Sequence, residues 1–251
     1  MTLAISSERL RRPARTRARG RGMTLIEILV VMVLISLVLG AVVSGTGQLA
    51  SSRLKHVSTS ITGAIRVAFT RATATSKSVR IVFDLEQQTM WLEEGDVPML
   101  VQTRDLTGTG GADPVTDAER RAVAEGESLI KGPKAPRAHF KMVQAFGSQS
   151  AEGGKGVRKL DRGIKFREIQ AVHDDEPRTS GRAYLYFWPG GRTELASIQL
   201  RIGDSTDDAD TMTLMVSPLT GKVTIKNGPI ALVRPRDDKE ASEREDTGGV
   251  F

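Results

Sequence analysis

The 251-residue sequence predicts an α+β protein in which one long N-terminal helix packs on an antiparallel β-sheet. Three observations carry this. Residues 23–43 form an unbroken apolar run in which Glu27 is the single charge. From Leu49 to Ala72 apolar residues recur at three- and four-residue steps, the helical period. From Ser78 onward the period falls to two, in short segments parted by turn residues, the pattern of an antiparallel sheet with one buried face.

The apolar run of residues 23–43 reaches about 31 Å as a helix, at about 1.5 Å per residue, enough to cross a bilayer core. Ahead of it stand Arg9, Arg11, Arg12, Arg15, Arg17, Arg19 and Arg21 against one acid, Glu8. Positive residues stay cytoplasmic, which places everything after Val43 outside. A secretory signal peptide has an apolar core of only about 7–15 residues with its cleavage site after it, shorter than this run. A plain anchor has no use for Glu27. A carboxylate that deep costs roughly 2.5–3.5 kcal/mol on insertion scales, so it needs a partner. The positive end of its own helix is one candidate.

Charge and cysteine usage exclude several function classes. The formal net charge is +6, but residues 1–22 hold seven of the 36 basic residues and one of the 30 acids, leaving 29 of each. A strongly basic nucleic-acid-binding domain is thus absent on average. The chain has no cysteine, which excludes thiol catalysis, Cys-ligated zinc and disulfide redox chemistry.

Each element follows in order. Ser44-Gly45-Thr46-Gly47 is expected to loosen the helix. The pattern resumes from Gln48 to about Thr75, where Leu49, Leu54, Val57, Ile61, Ile65, Ala68, Phe69 and Ala72 make one core face, while Arg53, Lys55, Arg66 and Arg71 point elsewhere. Residues 78–84 put Val79, Ile81 and Phe83 on one side and Arg80 and Asp84 on the other. A hairpin through residues 84–88 leads to a strand over 89–93. Residues 95–156 break this rhythm and are read as an insertion or large variable loop, functional or merely decorative. Within it Thr116-Asp117-Ala118-Glu119 is a capping box that starts a helix to about Ile130. Strands return over 163–170, 183–188, 195–202, 211–217 and 222–226, and the polar segment 234–251 is expected to be disordered.

No constellation of an enzyme is present. His56, His139 and His173 are scattered without metal-ligand spacing, and Gly108-Thr109-Gly110-Gly111 is neither a phosphate loop nor a dinucleotide fingerprint. Asp204, Asp207, Asp208 and Asp210 cluster in one turn, with a solvated acidic turn and a calcium site as the two readings. Lys155, Arg158, Lys159, Arg162, Lys165 and Arg167 form a basic stretch, read as a solvated face or docking edge against phosphate contact.

Two stretches resemble known proteins. Arg21-Gly22-Met23-Thr24-Leu25-Ile26-Glu27 resembles the prepilin signal of type IV pilins and type II secretion pseudopilins, in which a basic leader ends in Gly. Tyr186-Phe187-Trp188-Pro189-Gly190-Gly191 followed by Ser217-Pro218-Leu219-Thr220-Gly221-Lys222-Val223 resembles the closing module of GspH/FimT-type proteins. Together they cover about residues 25–90 and 164–226. The resemblance implies a pilin-like fold and five segments: a leader cleaved from 1–22, a membrane and filament-core helix over 23–43, its amphipathic continuation over 44–77, a periplasmic β-rich domain over 78–233, and the tail. It implies peptidase cleavage between Gly22 and Met23 and N-methylation of Met23. It further implies a filament-assembly role for Glu27, which neutralises the freed Met23 amine of a neighbouring subunit. Leu25, Ile26, Ile28, Leu29, Val30 and Val31 are then membrane-helix residues.

The partners so implied are other pseudopilins or pilins in a hetero-oligomeric filament, a prepilin peptidase, and an inner-membrane platform with its ATPase. No cofactor is implied. The location is a bacterial inner membrane, single-pass, with the N-terminus cytoplasmic before processing. The expected function is that of a minor pseudopilin, a non-enzymatic subunit helping to export folded proteins. The alternative is a minor pilin of a type IV pilus. The Gly-Arg-x-Arg of DNA-capturing relatives finds only Val233-Arg234-Pro235-Arg236 here, without the Gly and followed by two acids, which weighs against DNA uptake.

Overall fold

In a computed structural model of the chain, the described residues are 24–99, 108–129, 137–146 and 156–233, with the side chains of 41–48 and 129 outside that set. The leader, its Gly22-Met23 junction, the Gly-rich stretch 147–155 and the tail from 234 lie outside the described residues. The chain divides into two compact units, residues 1–46 and 47–251. Helix α1 spans Leu25–Thr75 as one element, so the backbone of residues 44–47 is helical rather than loosened.

In the second unit, one face of α1 is buried where the sequence places it: Leu54, Val57, Ile61, Ile65, Ala68 and Ala72 all lie in the core, joined by Ala64. Leu49 departs from this, being 61% exposed, and Phe69 is only partly buried. The stripe therefore packs from Leu54 onward. Arg71 extends from the helix to Glu94, with Nη2 2.9 Å from Oε2.

The strands form two antiparallel sheets rather than the single one expected. The first joins β1 (Val79–Asp84), β2 (Thr89–Gly95), β3 (Phe140–Val143), β4 (Val157–Lys159), β6 (Arg182–Trp188) and β7 (Arg192–Thr193). Strand β1 lies between β2 and β6, and the outer edge of β2 is paired by β3 over Leu92–Gly95 and by β4 over Thr89–Trp91. The second sheet has the order β10-β9-β8-β5, from Val223–Asn227, Thr211–Val216, Ala196–Ile202 and Ile164–Ala171. The buried face of α1 and the inner faces of both sheets share one core, with Ile81, Phe83, Leu92, Leu185, Phe187, Ile198, Leu200 and Leu214.

The region 95–156 is more than a variable loop. Its described parts give β3 and helix α2 (Asp117–Leu129), and its residues 108–112 lie on the outer face of the first sheet. Strand β1 is consequently buried on both faces, and Arg80 and Asp84, which the alternation places toward solvent, are inside. Val82, Trp91, Ala112, Tyr184 and Tyr186 make a second, smaller core there. Gly108 is required by this cover: its φ is +67°, and a Cβ would fall 1.2 Å from Arg178 Nη2. The capping box at the start of α2 is present. Thr116 Oγ1 accepts from the Glu119 amide at 3.2 Å, and Glu119 Oε2 accepts from the Thr116 amide at 3.0 Å and the Val115 amide at 2.8 Å.

Candidate functional site

The N-terminal motif begins with Thr24, the residue before α1. Its Oγ1 accepts from the Glu27 amide at 3.3 Å, and its carbonyl accepts from the amides of Glu27 and Ile28 at 3.0 and 3.3 Å. Thr24 therefore caps the helix and fixes Glu27 in the first turn, where the unsatisfied amides favour negative charge. Among the described residues the Glu27 carboxylate neither closes a capping box nor forms an ion pair. It is an exposed acid in an apolar surrounding. Met23 and Gly22, to which cleavage and methylation are assigned, lie outside the described residues.

Every large apolar side chain from Leu25 to Leu39 is exposed, including Leu25, Ile26, Ile28, Leu29, Val30 and Val31. A helix apolar on all sides is at home only in lipid or packed among other apolar helices. Among the described residues no helix is long and apolar enough to cross a membrane. The run in the sequence continues to Val43, past Gly40, where the described side chains pause.

A second assembly of polar groups, which the sequence reading missed, lies on the outer face of the first sheet. Arg80 on β1 is 1% exposed. Its Nε donates to Glu93 Oε2 at 2.7 Å, its Nη1 donates to the Tyr186 hydroxyl at 3.1 Å, and its guanidinium stands 4.3 and 4.4 Å from the ring centres of Phe140 and Tyr184. Nη2 is also 2.7 Å from Glu93 Oε2, but without hydrogen-bond alignment. Trp91 Nε1 donates to the other Glu93 oxygen at 2.7 Å. Burial opposes the Arg80 charge, yet Tyr186, Glu93 and Tyr184 outweigh it and raise its pKa.

Tyr184 donates its hydroxyl to Glu119 Oε1, which ties α2 to the sheet, and Tyr186 donates to the Thr109 carbonyl. Burial pushes both phenols upward. Burial works against ionisation of Glu119, but the Thr116 and Val115 amides, Tyr184 and Arg80 prevail and hold its carboxyl below the usual range. Fully buried His173 bonds through Nδ1 to Glu194, whose other oxygen accepts from the Tyr186 amide at 2.9 Å. Burial opposes protonation of His173, while Glu194 and Asp174 raise its pKa. The three histidines that seem scattered in sequence do separate in space by partner: His56 meets Asp161 at 2.9 Å and His139 meets Asp113 at 2.8 Å. One signal in the sequence pointed to this face. Strand β6 reads Arg-Ala-Tyr-Leu-Tyr-Phe-Trp, apolar or aromatic on both sides, which marks a strand covered twice.

The clusters read as alternative ligand sites are largely engaged internally. Asp204 accepts from Lys165 Nζ at 2.8 Å, Asp208 lies 3.6 Å from Arg167, and Asp210 accepts from Ser205. Arg158 donates to Ser60 at 2.7 Å. Among the described residues no group of His, Asp and Glu could hold a metal ion.

Helix, motif and sheets define a class: an α+β protein whose N-terminal helix opens with a capping Thr, an acid one turn in, and, over Leu25–Leu39, exposed apolar side chains on every side. Residues 17–43 match the family described as the prokaryotic N-terminal methylation motif. Two solved structures of the minor pseudopilin EpsH from the type 2 secretion system of Vibrio cholerae are similar at 8% identity. They cover 70% and 72% of this chain and 97% of their own, each with a TM-score of 0.38. No curated protein matches the chain. The match over residues 17–43 agrees with the resemblance of Arg21–Glu27 to a prepilin signal.

Proposed function

We propose that the chain is a minor pseudopilin, a non-enzymatic subunit of a type II secretion pseudopilus that helps move folded proteins across the outer membrane. The observation that carries this is the segment Thr24–Leu39: a matched methylation motif, a cap that fixes Glu27 at the helix start, and apolar side chains exposed all round. Such a surface needs a bilayer before assembly and neighbouring helices afterwards. Peptidase cleavage after Gly22 frees the Met23 amine, and Glu27 of an incoming subunit neutralises the amine of its neighbour inside the apolar bundle. Without that partner the carboxylate costs roughly 2.5–3.5 kcal/mol at membrane depth. The chain would sit in the inner membrane by residues 23–43 with its globular unit periplasmic, and would work with other pseudopilins, an assembly platform and its ATPase. It needs no cofactor.

Two experiments test the reading. Mass spectrometry of the membrane form should show loss of residues 1–22 and one added methyl on Met23. The Glu27→Ala variant should still be processed yet fail to enter filaments, and normal incorporation would contradict the role of the carboxylate. A deletion strain separates the two filament types. Loss of export of folded proteins supports the pseudopilus, whereas loss of piliation or DNA uptake with export intact supports the type IV pilus instead.

A further inference from the structure

The closing turn of the second sheet is built more rigidly than a plain hairpin requires. Residues 217–222 connect β9 to β10. The Gly221 amide donates to the Ser217 carbonyl at 3.0 Å, the Ser217 amide donates to the Lys222 carbonyl at 2.9 Å, and the Lys222 amide donates to Thr220 Oγ1 at 3.3 Å. The Thr193 amide ties the turn to β7 through the Pro218 carbonyl at 2.9 Å. Gly221 has a φ of +60°, and a Cβ there would meet Phe69 Cδ2 at 2.6 Å, so the turn is pressed onto the ring of α1 and only glycine fits.

Between this turn and α1 lies a cleft of about 290 Å³, lined by Thr62, Arg66, Phe69, Thr220, Lys222 and Val223 with Gly221. Arg66 and Lys222 are both exposed, and among the described residues neither is paired with an acid. Elsewhere on the same unit Lys165 and Arg201 are held by Asp204, Arg167 by Asp208, and Arg71 and Lys77 by Glu94. The cleft thus offers two unused cations, one on a helix and one on a braced turn, above an aromatic floor. Thr220 adds a hydroxyl that already accepts from a backbone amide, which leaves its proton for a ligand.

We propose that this cleft receives a carboxylate side chain presented by another protein chain of the same assembly. The backbone that carries Lys222 is braced by the turn, so docking orders side chains without also ordering the loop. The Phe69 face lowers the local dielectric and receives the methylenes of a Glu or Asp stem. A nucleic acid is the weaker fit, because tracking a phosphate backbone needs a succession of free cations. Within the basic stretch of residues 155–167, Lys165 and Arg167 are paired with acids, and basic and acidic residues balance once residues 1–22 are set aside. The identity of the partner rests on the filament reading. The cleft itself does not, and it is tested apart from processing and methylation.

The experiment uses the full chain in detergent micelles, ¹⁵N-labelled, titrated with acetylated tri-glutamate amide as the probe. The amide signals of Thr220, Gly221 and Lys222 should move, while those of Ile198 and Leu214 in the core should not. In R66Q/K222Q the apparent affinity should fall about tenfold, the loss of two charge-assisted contacts at a surface site. High salt should weaken binding in the same direction. Both residues are exposed, so the variant keeps the core signals of the parent chain. The proposal is overturned if the turn amides stay still at saturating peptide, or if the double variant binds as well as the parent. It is also overturned if inorganic phosphate or a single-stranded DNA oligonucleotide moves the same signals at lower concentration than the peptide. A correctly processed and methylated chain that fails this test would leave the filament reading intact and remove the cleft.

Discussion

Removal of Glu93 should be far more damaging than removal of Glu93 and Arg80 together. The side chain of Arg80 is 1% exposed and that of Glu93 is 9% exposed, so neither charge has water to fall back on. In Glu93→Leu the guanidinium loses its direct counter-ion and keeps the Tyr186 hydroxyl at 3.1 Å, the faces of Phe140 and Tyr184, and the charge of Glu119 without a direct bond to it. An uncompensated buried charge of this kind costs about 3–5 kcal/mol, whereas a buried pair exchanged for apolar residues of similar size is often neutral. In Arg80→Met/Glu93→Leu the remaining loss is the Trp91 indole N–H, which no longer has its acceptor at 2.7 Å, a deficit of roughly 1–3 kcal/mol. The single variant carries the same Trp91 deficit, so it cancels and the double variant should recover about 3–5 kcal/mol over the single one. Urea denaturation of the full chain in micelles, followed by tryptophan fluorescence, measures both. A double variant as unstable as Glu93→Leu alone would refute the account of Glu93 as the counter-charge of Arg80.

The remaining expectations concern the same cover and the closing turn. Glu119 has its pKa lowered from 4.5, so its contribution is present above that value and lost as pH falls through the folded pKa; Glu119→Gln should flatten the acid limb of stability against pH. His173 has its pKa raised from 6.5, so its ion pair with Glu194 contributes fully below 6.5 and is lost as pH rises toward the folded value; His173→Gln should be less stable at mildly acidic pH and lose the dependence above it. Gly221→Ala should cost on the order of 1–3 kcal/mol from the strained φ and the contact with Phe69, read as a lowered melting temperature.

What residue order determined here is periodic or local. The buried face of α1 from Leu54 to Ala72 was legible at a period of 3.6, strands such as Val79–Asp84 and Thr211–Val216 at a period of two, and the capping box at Thr116–Glu119 from four adjacent residues. The motif around Glu27 was legible for the same reason, since its parts are contiguous and its chemistry needs no folding beyond one helical turn. What lay across the chain was decided only by the tertiary structure. Arg80 alternates with Val79 and Ile81 as a solvent-facing residue would, and nothing within its own strand says that residues 108–112, Phe140 and α2 will close over it. The unpaired state of Arg66 and Lys222 is likewise invisible in sequence, because it depends on which distant acids arrive nearby and which are already taken. A side chain's own spacing sets the face on which it stands, but burial and pairing are settled by whatever the rest of the chain brings against that face.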